Sequence, residues 1–226
     1  MPCMICGAND VQRILKFERS RLSYIPMNED NVLYTLEGCD KCDVVHLVDP
    51  PPKGEDYYRE QYRKDVPRTQ EAVKKARAVD KAVVPLLLEV MCAPTFGYVL
   101  DLCAEDASVV SMFECQVDSW GLDSGPLMSI RENAYNLVTC FLSLEHVEEP
   151  IEFARAALRS LRPGGLFIAS VPNVDKDLGL RPHHTWYYRG HSLMILLKSA
   201  GFQEQATVRY GGYIYACGER MVENSQ

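Results

Sequence analysis

Two CxxC pairs constrain this chain more than any other feature. Cys3 and Cys6 form the first, and Cys39 and Cys42 form the second. Two residues between cysteines let both sulfurs of a tight turn face one ion, and two such turns complete a tetrahedral thiolate cage for zinc. Gly7 follows the first pair, where a backbone turning through positive φ suits glycine. Between the pairs run RILKF and NVLYTLEGC, two β-like segments that predict a hairpin carrying the second knuckle. A closed site of four thiolates has no open position for a substrate, so the expected zinc is structural. The remaining cysteines (Cys92, Cys103, Cys115, Cys140 and Cys217) lie singly in apolar surroundings, and the total of 9 is odd. That pattern fits a metal site in a reducing compartment better than a disulfide framework.

Beyond the ribbon, three prolines at 50–52 stop a strand ending at Val48. Tyr57, Tyr58 and Tyr62 then recur at helical spacing, and Ala72, Ala76, Val79, Val83, Leu87 and Val90 predict an amphipathic helix interrupted or kinked at Pro85. The basic residues of this stretch, Arg59 to Lys81, read as a solvated helix face. From Tyr98 the chain alternates. YVLDLCA, VDSW, NLVTCFLSL and LFIASVPN read as strands, EEPIEFARAALRSL and SLMILLKSAGF as helices. Pro163, Gly164 and Gly165 are expected to end the first of those helices and Gly201 to cap the second. QATVRY and YIYACGE follow, split by Gly211 and Gly212. Alternating strands and helices predict a doubly wound α/β sheet finished by an antiparallel hairpin. The expected organisation is a zinc ribbon at 1–52, a helical linker at 53–95 and an α/β domain at 96–226.

Lys and Arg number 24 against 31 Asp and Glu, a net charge of -7 that disfavours general binding to phosphate backbones. No apolar run is long enough to span a membrane, and MPCMICGAND lacks a signal-peptide layout. The expectation is a cytoplasmic protein.

At these residues the chain resembles the class I S-adenosylmethionine-dependent methyltransferases, and within them the subgroup with an N-terminal zinc ribbon that includes sugar C-methyltransferases. VLDLCAEDA sits where that family has its first, glycine-rich motif, and GLDS resembles the end of its second strand. YNLVTCFLSLEHVEEP, LRPGGLFIASVPN and PHHTWYYRGHSLMILLKSAGF resemble its later segments in order. The resemblance implies a Rossmann-like doubly wound sheet. If the protein is active, it implies S-adenosylmethionine as cofactor, Asp101 and Asp123 as cofactor-binding residues, and His146 or His184 as the base. Trp186, Tyr187 and Tyr188, beside His183 and His184, are then expected to form a lid over the substrate side.

Two departures pull the other way. Cys103, Glu105 and Ala107 replace the glycines that let backbone approach the cofactor, and Glu105 and Asp106 face its carboxylate with like charge. One such contact costs about 1 kcal/mol even in water. Only 13 positions separate Asp123 from Asn136, whereas a parallel crossover with its strand needs about 30 residues. The family's third strand is therefore expected to be missing, and with it much of the adenine pocket. The preferred expectation is a catalytically degenerate binding or scaffold module with a protein partner or a second copy of itself. The alternative is an active methyltransferase on a small molecule such as a nucleotide sugar. A divalent cation among Asp101, Glu105, Asp106 and Asp123 is a minor third expectation.

Overall fold

The computed structural model describes residues 2–9, 11–18, 33–48, 70–91, 97–102, 115–121, 129–175 and 184–222. The described structure contains two sheets. In the N-terminal one, β1 (Val11–Glu18) and β2 (Leu33–Cys39) pair antiparallel from Glu18↔Leu33 to Val11↔Cys39. β3 (Val45–Val48) continues the sheet against β2, with Leu36 opposite Leu47. The expected hairpin carrying the second knuckle is present.

The second sheet has six strands in the order β5-β4-β6-β7-β10-β9. β4 (Tyr98–Leu102), β5 (Gln116–Trp120), β6 (Tyr135–Phe141) and β7 (Leu161–Pro172) are mutually parallel. β10 (Tyr213–Glu219) joins β7 antiparallel and pairs with β9 (Gln203–Tyr210) across Gly211 and Gly212, whose φ values are +62° and +91°. Positive φ at both turn residues matches the twist of a two-residue hairpin, which is why two glycines stand there.

The period-two pattern of the parallel strands sorts side chains to two faces. Val99, Leu137, Leu166 and Ile168 meet α1 (Gln70–Val90) through Val83, Val84 and Leu87. Leu100, Leu102, Val138, Cys140, Phe167 and Ala169 share a core with α2 (Pro150–Ser160) and α3 (Gly190–Ala200), through Phe153, Ala154, Ala157, Leu193, Leu196 and Leu197. Pro150 opens α2, where a missing N–H is harmless, and Gly201 closes α3 at φ +107°. Pro85 does not divide α1, which runs on for another turn. None of these helices is long and apolar enough to cross a membrane.

Three sequence expectations need correction or completion. α2 ends at Ser160, not at the Pro-Gly-Gly run. Leu161 is fully buried and pairs with Tyr135, which draws the chain into β7 at once. The glycines serve the strand instead. Gly164 sits at φ +77° with its N–H bonded to Arg220 O, and a Cβ on Gly165 would lie 2.8 Å from Arg162 O. The Trp186–Tyr188 segment is not a lid. Trp186 and Tyr187 form β8, which pairs with Val45 and His46 of β3, and all three aromatic side chains are buried. A strand from the C-terminal half thus completes the N-terminal sheet, and Cys3, Ile5, Cys39, Cys42 and Val44 belong to the same apolar cluster as Leu100, Phe153 and Tyr188.

The third point concerns the sheet edge. Between Trp120 and Tyr135 the described residues hold no strand, and β5 is the last strand on that side. The returning chain lays Arg131 over the stacked rings of Tyr98 and Tyr135, 5.1 and 5.7 Å from their centroids. Arg131 and Tyr135 both hydrogen-bond Asp118 of β5. Partial desolvation works to raise the Asp118 carboxyl, but those bonds outweigh it and hold it below its ordinary range. The six-stranded sheet is thus pinned where a seventh strand was expected to be lost.

Candidate functional site

The two CxxC turns are built alike. Cys3 N–H bonds Ala8 O and Gly7 N–H bonds Cys3 O; Cys39 N–H bonds Val44 O and Asp43 N–H bonds Cys39 O. The fifth residue of each turn has positive φ, Gly7 at +69° and Asp43 at +61°. Asp43 tolerates this conformation better than most side chains, and Arg189 holds its carboxylate. Sequence reading noticed Gly7 and missed Asp43; the equal spacing from each first cysteine was the available signal. The sulfurs of Cys3 and Cys42 lie 3.6 Å apart, those of Cys6 and Cys39 3.5 Å, and all four fall within 4.8 Å of one another. A tetrahedral ion with metal–sulfur bonds of about 2.3 Å sets sulfurs about 3.8 Å apart, so the donor set fits zinc. The Cys42 thiol's hydrogen bond draws the Cys3 thiol down to about 4, while that contact and burial push Cys42 up. The pair readily carries a first thiolate.

The second candidate region lies at the carboxyl end of β4 and β6, where open α/β sheets bind their ligands. Asp101 sits one residue before the end of β4, 4% exposed, and accepts a 2.7 Å hydrogen bond from Thr139 of β6. It shares the α1 face with Asp80, whose carboxylate accepts 2.6 Å from Tyr215 Oη. Burial pushes Asp101 up to about 7 despite the Thr139 bond, with the charge of Asp80 adding to the rise. Asp101 therefore ties two strands together inside the protein. Asp123, His183, Glu105 and Asp106 lie outside the described residues.

This predicts a pH-dependent gain for Asp101→Asn, which keeps the oxygen that Thr139 donates to. An acid whose folded pKa is raised is most stabilising below its unfolded value of about 4 and loses that contribution as pH climbs to about 7. Replacing it should raise stability by about 1–2 kcal/mol at pH 5 and about 4 kcal/mol at pH 8. Urea unfolding at the two pH values checks it; an equal effect at both would remove ionisation as the cause.

Beyond β6 the chain turns sharply, with Leu142 at φ +52° and its N–H bonded to Ser170 O at 2.8 Å. The turn delivers Leu144–His146 as one 3-10 turn, all three residues buried. His184 enters from the segment that leads into β8. The predicted histidines do meet: the His146 and His184 rings are 4.8 Å apart, edge to face. Glu145, which sequence reading passed over, joins them with Oε1 4.0 Å from His146 Nε2. It stood beside His146 in the LEH turn, but adjacent residues on a strand would point apart, and only the tight turn brings them together.

With this geometry in place, the comparisons with known proteins are informative. A family model described as a methyltransferase domain matches residues 32–206. A probable S-adenosylmethionine-dependent methyltransferase of Mycolicibacterium smegmatis is 31% identical over 86 residues, 36% of this chain and 34% of that protein. The match thus spans about a third of that relative's length. Among solved structures, the 1,6-didemethyltoxoflavin-N1-methyltransferase of Burkholderia thailandensis, with bound 1,6-didemethyltoxoflavin and S-adenosylhomocysteine, shares the fold. It is 16% identical, with 86% of this chain and 99% of that chain covered and a TM-score of 0.56. A methyltransferase of Thermotoga maritima covers 74% of this chain and 97% of its own at 15% identity and a TM-score of 0.49.

Proposed function

Because the chain belongs to the class I S-adenosylmethionine-dependent methyltransferase family, we propose that it is a member whose cofactor cleft has been reduced, acting as a binding or scaffold module built around a structural zinc. The reading rests on one observation above others: among the described residues, β5 is the last strand on its side of the sheet. A nucleoside held at the carboxyl ends of parallel strands draws on the segment beyond the second strand, and the 13 positions from Asp123 to Asn136 are fewer than the roughly 30 residues a crossover with its strand needs. Asp101, the one expected cofactor residue among those described, has its carboxyl inside the protein on Thr139. Committed to Thr139 in this way, the Asp101 carboxyl is poorly placed to hold a cofactor.

Cys3, Cys6, Cys39 and Cys42 hold the zinc, and a reducing cytoplasm keeps them available as thiolates. A protein partner, or a second copy of the chain, is what such a module would bind.

The second reading, an active methyltransferase on a small molecule, draws on the meeting of His146 and His184 beside the end of β6. There one imidazole would accept the proton that the substrate loses.

Calorimetry with S-adenosylhomocysteine on the metal-loaded protein separates the two. The first reading expects no binding at millimolar ligand. A micromolar dissociation constant would overturn it and favour the second, for which a substrate search would follow.

A further inference from the structure

We propose that Glu145, His146 and His184 form a second metal centre, for a divalent transition ion of the zinc, cobalt or iron class. The ligand atoms of all three lie within 4.8 Å of one another, and the residues are 2%, 4% and 5% exposed. Two imidazoles and one carboxylate are a nitrogen-rich donor set, suited to these ions and poorly suited to calcium or magnesium, which prefer oxygens. Ligand bonds of about 2.1 Å bring donor atoms to about 3.0–3.4 Å from one another, so binding draws the widest-spaced donors together by up to about 1.4–1.8 Å. Rotation about the side-chain torsions supplies that movement without the backbone.

The backbone is already held. Thr185 N–H bonds Glu145 O at 2.7 Å, Trp186 Nε1 bonds Val147 O at 2.8 Å, and Tyr188 Oη bonds Leu144 O at 3.4 Å. Three hydrogen bonds thus fasten the His184 segment to the Glu145–His146 turn. On the other side, Leu47 N–H bonds Thr185 O at 2.9 Å, tying the same segment to the ribbon sheet. Ligands on two segments locked in this way lose little freedom when an ion arrives. Three protein ligands leave at least one coordination position open, unlike the closed cysteine cage. One carboxylate against a divalent ion leaves a net positive charge, so that position takes water or an anionic oxygen ligand.

Cobalt(II) is the probe, added to the full chain with the cysteine cage already filled by cobalt. The expected result is a second equivalent with the weak ligand-field absorption of nitrogen and oxygen donors and no new sulfur charge-transfer band. Glu145→Gln and His184→Gln should keep the thiolate band, which reports the fold, and bind the second equivalent at least 10-fold more weakly. Uptake of a single equivalent by the wild type overturns the proposal, as does undiminished second binding in both variants. Where the variants lose the thiolate band, X-ray absorption on the wild type decides. A second-ion shell with two imidazoles supports the site, and a shell of oxygens alone overturns it.

Discussion

Replacing Cys42 by Ser unfolds the α/β domain together with the ribbon. Cys42 is fully buried and sits in one apolar cluster with Leu100, Phe153, Leu193 and Tyr188, so its surroundings are the main core, not a separate knuckle. Zinc held by four thiolates is worth about 10 kcal/mol or more at neutral pH, comparable with the whole stability of a domain. Serine is a poor zinc ligand, and three remaining thiolates would be left partly uncompensated in the interior. Near-UV circular dichroism of the purified variant is expected to lose the aromatic signal, with an expanded, dye-binding state left behind. A variant that lost only the metal and kept its aromatic signal would show that the cage is a dispensable ornament. Metal analysis of the wild type is the control: at least one tightly held zinc per chain is expected, and it should be missing from the variant.

The parts of this architecture that were legible in sequence are those written in local period. Val99, Leu100 and Leu102, or Leu137, Val138 and Cys140, are apolar on both faces of their strands, and only a sheet covered on both sides has a use for that. The cage was legible because thiolate geometry dictates CxxC spacing. What was hidden depended on distant partners. Leu161 reads as the continuation of α2 until Tyr135 is seen across from it. Tyr187 pairs with Val45, 187 − 45 = 142 positions earlier, through a strand of two residues, too short to show any periodicity. Aromatic residues beside two histidines look like a substrate surface when nothing indicates that a sheet edge is waiting for them. Asp101 shows the opposite failure. Its place in the strand YVLDL was legible, yet burial first, with the Thr139 bond and the neighbouring Asp80, decides its chemistry, and none of these is visible along the chain.

Trp186→Ala should lower stability by about 3–5 kcal/mol, the range for deleting a fully packed tryptophan. The side chain is 2% exposed and joins three parts of the molecule. Its backbone pairs with His46 in the ribbon sheet, its ring lies 5.2 Å from the His46 ring, and its Nε1 donates to Val147 O beyond β6. Alanine leaves a cavity and an unanswered carbonyl. Trp186→Phe fills most of the cavity and still loses the hydrogen bond, so it should cost only about 1–2 kcal/mol, and the remainder of the alanine effect is the cavity. The chain has only 2 tryptophans, which makes the assignment clean. Trp120, at the end of β5 and 6.2 Å from Phe153, reports the α/β domain once Trp186 is gone. Trp120→Phe leaves Trp186 to report the ribbon junction. If β8 fuses the two sheets into one cooperative unit, wild-type denaturation followed by circular dichroism coincides with both fluorescence reporters after correction for each variant's own stability. Separate midpoints, with the Trp186 signal lost first, would mean that the ribbon detaches before the α/β core gives way.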